Sequence, residues 1–323
     1  MKYGHVPGID KAISRLVQGT MMISSRDLDG SFALLDGVAE LGCTAFDLAH
    51  VYGGGDAERT FGQWLRARGC RDQVVIVTKG AHHNQDRKRV TPYDIAADLH
   101  DSLARLQVDK IDLYLLHRDD PDVAVGPIVE ALNVHKVEGL IDAFGGSNWT
   151  HDRVQLTNAY AADHNLVPFV ASSPQFSLVE MVEAPWAGCV SVGGPSGAAA
   201  RAYYRKADIG VFTWSSLAGG FLTGRYTRAN RETRTDRQDA LVLRSYGSED
   251  NFSRLERAQH LAEAKGLTLP QVALAYSQNH PLNLFSLVGC RTPEEYADNI
   301  VALETPLTAE EIVRLETGEE DDR

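Results

Sequence analysis

Residues 73–79 read QVVIVTK and residues 111–117 read IDLYLLH. Each is an apolar run that ends on one basic side chain, Lys79 or His117. Four to six apolar or small residues without polar alternation suit a strand buried on both faces, as in a parallel sheet. A lysine or an imidazole placed directly after such a run is costly if it is buried alone. These two segments therefore pose the question of the fold and the question of the site together.

The same kind of run recurs at RLVQGTM (15–21), CTAFDLA (43–49), LIDAFGGS (140–147), PFVASSPQ (168–175), IGVFTWS (209–215) and LFSLVGC (284–290). Helix-like stretches lie between the runs. In 92–107, Ile95, Leu99, Leu103 and Leu106 share one helical face, and Pro92 suits the first turn after Thr91. Residues 30–41 carry Phe32, Leu35, Val38 and Leu41 at spacing three. Residues 122–138, 150–164, 253–265 and 270–279 read similarly. Thr150 is a plausible cap, and TPEEYADNIVAL (292–303) opens with a Thr cap and a first-turn Pro. Eight strands alternating with helices predict an α/β fold, a closed (β/α)8 TIM barrel with its active site at the C-terminal face, as one domain over 1–323. An open doubly wound sheet would bring a G-x-G-x-x-G turn after its first strand, and the sequence has none.

Two segments break the rhythm. Residues 188–207 are glycine-rich and then helical. Residues 224–251 are long, charged and aperiodic, which suits a mobile lid or an excursion without a role. Residues 316–323, ETGEEDDR, read as a solvated acidic end.

With 32 basic and 44 acidic residues among 323, the formal charge is −12. Phosphate-rich surfaces would be repelled, so neither nucleic acid nor a membrane is the expected partner. No 18-residue apolar run occurs, and the start MKYGHVPGIDKAISRL has no leader-like apolar region. Cys43, Cys70, Cys189 and Cys290 stand far apart with no C-x-x-C spacing, so reduced thiols and a cytoplasmic chain are expected. Cys290 is expected as a packing residue. No metal is expected, because only the loop pair His82–His83 approaches ligand spacing.

In such a barrel the chemistry gathers where strands end at the carboxyl face. The strand ends carry Asp47 with Tyr52 just beyond it, Lys79, His117, Ser147–Asn148, Gln175, Trp214–Ser215–Ser216 and Gly289–Cys290–Arg291. Taken singly, an ion pair and a core histidine explain Asp47, Lys79 and His117. Four such groups at one end of three successive strands suggest more. A free phenol has a pKa of about 10, so Tyr52 gives up its proton poorly at neutral pH. An ammonium within about 4–6 Å stabilises the phenolate. Asp47 would orient that ammonium, and a neutral His117 could bond the same substrate oxygen while Tyr52 acts as general acid.

FDLAHVYGGGDAERTFGQWL, VVIVTKG, DLYLLHRDD, FGGSNW, SPQFSL, FTWSSLAGGFLTGRY and GCRTPEEYADN, in this order from about residue 13 to residue 303, resemble successive motifs of the aldo/keto reductase superfamily. The resemblance implies an NAD(P)-dependent oxidoreductase that moves hydride between a nicotinamide and a carbonyl or alcohol. The family tetrad falls on Asp47, Tyr52, Lys79 and His117. It also implies that Ser147, Asn148 and Gln175 bond the carboxamide and that Trp214, commonly Tyr in the family, stacks on the ring. A pyrophosphate would approach the turn SSLAGG, with Ser215, Leu217 and Gly219, while Gly19, Thr20 and Met21 line the mouth beside it. Gly289, Arg291, Glu295 and Asn299 match the adenosine end. NADP is the expected cofactor through Arg291. NAD stays open because a carboxylate at Glu295 would repel a 2′-phosphate.

His50, Trp149 and the 224–251 segment are candidate walls for a small-molecule carbonyl substrate, an aldehyde, a ketone or a sugar derivative. Two other readings compete: a lyase that uses Lys79 as a Schiff-base nucleophile, and a non-catalytic nucleotide-sensing subunit. Monomer and homo-oligomer are equally open.

Overall fold

The computed structural model describes residues 1–318. Eight parallel strands close a barrel in the order β10-β3-β4-β5-β6-β7-β8-β9. They are β3 (Leu16–Gly19), β4 (Ala45–Asp47), β5 (Val75–Gly80), β6 (Ile111–Leu116), β7 (Ile141–Ser147), β8 (Ala171–Ser173), β9 (Gly210–Thr213) and β10 (Leu284–Val288). Each lies within an apolar run read from the sequence, except that β5 extends one residue past its run, to Gly80. The barrel expectation therefore holds. A hairpin that the sequence reading missed, β1 (Tyr3–Val6) and β2 (Ile9–Ser14), precedes the barrel.

Strand side chains alternate between faces, so each barrel strand serves two cores. Val17, Ala45, Val75, Val77, Leu113, Leu115, Ala143, Ala171, Phe212 and Phe285 fill the interior. Val6, Ile9 and Ile13 of the hairpin join the same cluster and close the N-terminal end. Lys11, on β2, and Arg71 hold the buried Asp112 at 2.8 and 2.9 Å, which ties the hairpin to β6. The other parity, including Phe46, Ile76, Tyr114, Leu116 and Phe144, packs outward under the helices.

Those helices are α1 (Leu28–Glu40), α2 (Asp56–Arg68), α3 (Pro92–Leu106), α4 (Val125–Val137), α5 (His151–Asp163), α6 (Ala198–Lys206), α7 (Arg237–Tyr246), α8 (Glu249–Lys265), α9 (Leu269–Gln278), α10 (Pro293–Glu304) and α11 (Ala309–Thr317). The Thr caps act as read: Thr91, Thr150 and Thr292 accept from Asp94, Arg153 and Glu295 N–H groups. None of the described helices is long and apolar enough to cross a membrane.

Two expectations are corrected. Residues 224–251, read as aperiodic, contain α7 and the start of α8. Tyr226 is 1% exposed and its hydroxyl donates to the buried Asp239 at 2.7 Å. The acidic end begins inside α11, where Glu316 accepts from the Tyr276 hydroxyl at 2.6 Å and its carbonyl accepts from Arg254 and Arg257. Its residues 319–323 lie outside the described residues.

One buried base outside the barrel mouth makes stability depend on pH. His280 has a buried Nδ1 without a partner among the described residues. Burial, then the Arg201 guanidinium, pulls its pKa down to about 4. An unfolded histidine titrates near about 6.5. Below that pH the unfolded chain takes up a proton that the folded one refuses. The stability this group contributes is therefore complete above about pH 6.5 and is lost towards pH 4, with a slope of up to about 1.4 kcal/mol per unit. His280→Gln is expected to flatten the slope in urea unfolding measured across that window. An unchanged slope would assign the acid sensitivity elsewhere.

Candidate active site

Strand parity builds the site. Asp47 follows Ala45, Lys79 follows Val75 and Val77, and His117 follows Leu113 and Leu115, each two residues on and therefore on the interior face. Ser147, Gln175, Trp214 and Gly289 continue the same parity beyond Ala143, Ala171, Phe212 and Phe285. The interior column that is apolar below thus turns polar at the C-terminal rim.

Lys79 Nζ donates to Asp47 Oδ1 at 2.6 Å, to the Leu48 carbonyl at 2.9 Å and to the Tyr52 hydroxyl at 3.3 Å. Lys79 is 2% and Asp47 3% exposed. Tyr52 comes from the loop after β4, and the chain then reverses through Gly53, Gly54 and Gly55 at φ of 58, 63 and 89°. A Cβ at Gly55 would lie 2.6 Å from the Arg105 guanidinium. Arg105 fixes the loop by donating to the His50 carbonyl at 2.8 Å and to the buried Glu58 at 3.2 Å. The His117 ring stands edge-on to Tyr52, with centroids 5.9 Å apart.

The electrostatics differ in one respect from the sequence reading. Burial pushes the Tyr52 phenol above its ordinary pKa. The Lys79 charge pulls it down and the Asp47 charge pushes it up, and the net shift is upward. The ammonium acts with the expected sign, but desolvation outweighs it, so the hydroxyl keeps its proton through neutral pH. Burial disfavours the Lys79 ammonium, yet Asp47 and Tyr52 hold its pKa above the ordinary value. Burial, then the Lys79 charge, drives His117 well below 6.5, so its imidazole is neutral.

The other rim residues divide into open and committed groups. Trp214 is partly exposed, and its Nε1 is buried without a partner among the described residues. Ser215, Ala218 and Gly219 have φ of 51, 52 and 64°. Leu217 (φ −103°, ψ 23°) precedes the left-handed pair, and the turn closes on itself: the Ala218 N–H donates to the Ser215 carbonyl at 2.7 Å and the Gly220 N–H to the Leu217 carbonyl at 3.0 Å. Gly289 and Arg291 are exposed, as is Met21, beside the partly exposed Gly19. Thr20 is buried and donates to the Asp47 carbonyl at 2.9 Å. The Glu295 carboxylate accepts the Arg291 N–H at 2.8 Å, and Asn299 donates to Cys290 Sγ at 3.2 Å. Burial pushes the Cys290 thiol up to about 12, which fits the packing role.

Ser147, Asn148 and Gln175 are buried and bonded within the protein. Ser147 donates to the Ser173 carbonyl at 3.0 Å. Asn148 donates to Ser147 Oγ at 3.2 Å and accepts the Val190 N–H at 3.2 Å. Gln175 donates to Ser177 Oγ at 2.9 Å and accepts from Ser191 Oγ at 2.6 Å. The glycine-rich segment at 188–193 therefore lies along the ends of β7 and β8, a contact its sequence did not announce.

Two of the three candidate substrate walls, His50 and Trp149, are bonded within the protein. His50 Nε2 sits 3.1 Å from Asp101 and 3.7 Å from Asp98, both on α3. Trp149 is fully buried, donates to the Arg118 carbonyl at 3.1 Å and packs on Phe169 at 5.2 Å. Two groups beside the tetrad were missed. The His82 ring lies edge-on to His117 at 4.8 Å, and Arg118 donates to Cys189 Sγ at 3.4 Å. The only sequence signal for them was adjacency, in KGAHH and LHRDD. Among the described residues no histidine, cysteine or carboxylate cluster could hold a metal ion.

A parallel barrel carrying a lysine-bridged acid and phenol at its C-terminal rim defines a class of oxidoreductases. The chain belongs to the aldo/keto reductase family, whose sequence model matches residues 15–319. It is 28% identical over 332 aligned residues to "Uncharacterized oxidoreductase YrpG" of Bacillus subtilis (strain 168), covering 98% of this chain and 94% of that protein. It is 27% identical over 329 residues to "Probable voltage-gated potassium channel subunit beta" of Oryza sativa subsp. japonica, covering 97% and 94%.

Proposed function

We propose that this chain is an NAD(P)-dependent carbonyl reductase or alcohol dehydrogenase acting on a small aldehyde, ketone or sugar derivative. The observation that carries the reading is Lys79 Nζ joined at once to Asp47 at 2.6 Å and Tyr52 at 3.3 Å on the barrel rim. A protonated phenol next to a fixed ammonium can give its proton to a carbonyl oxygen. The ammonium then stabilises the phenolate left behind. Asp47 keeps Lys79 charged and in place. A neutral His117 beside Tyr52 can donate to the same oxygen and orient the carbonyl.

A dinucleotide fits the open groups, the Trp214 face, Gly289 and the exposed Arg291, beside the Ser215–Gly220 turn, whose Gly219 is exposed. Bound there, a reduced nicotinamide would supply the hydride. Ser147, Asn148 and Gln175 hold internal bonds, and a carboxamide could use the second lone pairs of Asn148 Oδ1 and Gln175 Oε1 and the second N–H of Gln175. NADP leads because the Arg291 guanidinium is exposed at the adenosine end. Glu295, turned to the Arg291 backbone, leaves NAD as an alternative.

Titrating Trp214 fluorescence with NADPH and NADH in parallel tests both cofactor points. Arg291→Ala is expected to weaken NADPH by about 10- to 100-fold, the loss of one charged hydrogen bond, and NADH by less than about twofold. Equal effects on both would remove Arg291 from phosphate recognition.

The lyase alternative loses support because an ammonium held by Asp47 is a poor nucleophile. The sensing alternative draws on the similarity to a protein named as a channel subunit. Nucleotide binding with no turnover across a panel of aldehydes, ketones and sugars would favour it, and NADPH oxidation by any member of the panel would exclude it.

A further inference from the structure

In the run His117-Arg118-Asp119-Asp120 both carboxylates are committed elsewhere. Asp119 pairs with Arg153 at 3.1 Å and Asp120 with Lys88 at 2.7 Å. On the loop after β5, Arg87 and Arg89 are likewise paired, with Asp94 and Asp98 at 2.6 Å each. Arg118, between them, has no carboxylate within ion-pair reach among the described residues. The acceptor its guanidinium does have is Cys189 Sγ at 3.4 Å. A thiol is a weak acceptor for one of five donors. The part-exposed guanidinium belongs to the residue that directly follows His117, whose ring stands beside those of Tyr52 and His82. Its charge also reaches His117, His82 and His83, each of which it pushes towards the neutral form.

Its position favours substrate over cofactor. Arg118 follows β6, next to the imidazole that faces Tyr52. The Ser215–Gly220 turn and Arg291 follow β9 and β10, which lie beyond β7 and β8 or across β3 to β5 in the barrel order. We propose that Arg118 is the anion-recognising residue of the substrate pocket, and that the favoured carbonyl compounds carry a carboxylate or phosphate oxyanion. The guanidinium fork matches either group in a bidentate manner. An incoming oxyanion displaces only a thiol contact, so little is lost in the exchange. The inference rests on the reading of this site as carbonyl-reducing.

The test compares substrate pairs that differ in charge. With the full chain and NADPH, kcat/KM is measured for para-carboxybenzaldehyde against para-carbamoylbenzaldehyde, and for glyceraldehyde phosphate against glyceraldehyde. The parent is expected to favour at least one anionic member by tenfold or more, through KM. The pair that shows the preference tells carboxylate from phosphate. Arg118→Met is expected to bring the ratio near one, and Arg118→Lys to retain part of it. A merely structural role would lower both members of a pair together and leave the ratio intact. A parent ratio near one in both pairs, or a ratio that survives Arg118→Met, overturns the proposal. Calorimetry with benzoate, inorganic phosphate and benzamide separates this from the functional reading. If no carbonyl is turned over, that reading fails, while benzoate or phosphate binding lost in Arg118→Met still supports the anion site, and the absence of both in the parent refutes it.

Discussion

Tyr52→Phe is expected to lower the rate of carbonyl reduction by about 10²- to 10⁴-fold, the range supplied by a positioned general acid, with nucleotide affinity within about twofold of the parent. The hydroxyl is the one atom removed, and Lys79 donates to it at 3.3 Å. The ring that packs near His117 stays, so the loop and its three left-handed glycines keep their conformation. Burial holds the phenol above its ordinary pKa, so the parent enters each reduction with its proton in place. Stopped-flow measurement of NADPH oxidation with one aldehyde, alongside a fluorescence titration of NADPH, reads both quantities. A rate within tenfold of the parent would falsify the assignment of Tyr52 as donor.

Lys79→Met should cost stability as well as turnover. Asp47 is 3% exposed, and its partner in the structure is the ammonium at 2.6 Å. Removing one member of a buried pair leaves the other charge uncompensated, typically at about 3–5 kcal/mol. Asp47→Asn combined with Lys79→Met removes both charges and is expected to recover most of that loss, since pairs replaced together are often near neutral. Turnover should not recover, because the double variant still lacks the ammonium beside Tyr52. Urea midpoints for the parent, the single variant and the double variant decide the matter. A single variant as stable as the parent would show that Asp47 is neutralised by another route.

The barrel was legible because burial on both faces makes each strand an apolar run, and period-two alternation then aimed Asp47, Lys79 and His117 inward. Loops resisted the same reading. His50 and Trp149 sit beside tetrad members in sequence, but a turn of the chain after the strand sent one to Asp101 and the other into the outer core. The hairpin escaped because its few apolar residues, among them Val6, Ile9 and Ile13, are interleaved with polar ones over short strands. Helix α7 lies in a charged stretch whose buried face includes Asp239, a residue no apolar pattern counts. Helix α11 was also missed, although Thr308 and Glu311 form a capping box in the structure. That Arg118 stands unpaired between paired neighbours is a fact of three dimensions, since Arg153 and Lys88 come from distant parts of the chain.

The hairpin that seals the bottom of the barrel has a kinetic corollary. With Val6, Ile9 and Ile13 filling the far end, there is no back exit, and whatever reaches Tyr52 must arrive and depart through one doorway. Under the proposed function a dinucleotide and a carbonyl share that doorway, and the deeper-seated one is expected to enter first and leave last. Product-inhibition patterns of a compulsory-order scheme are the signature that a plugged barrel should leave in steady-state data.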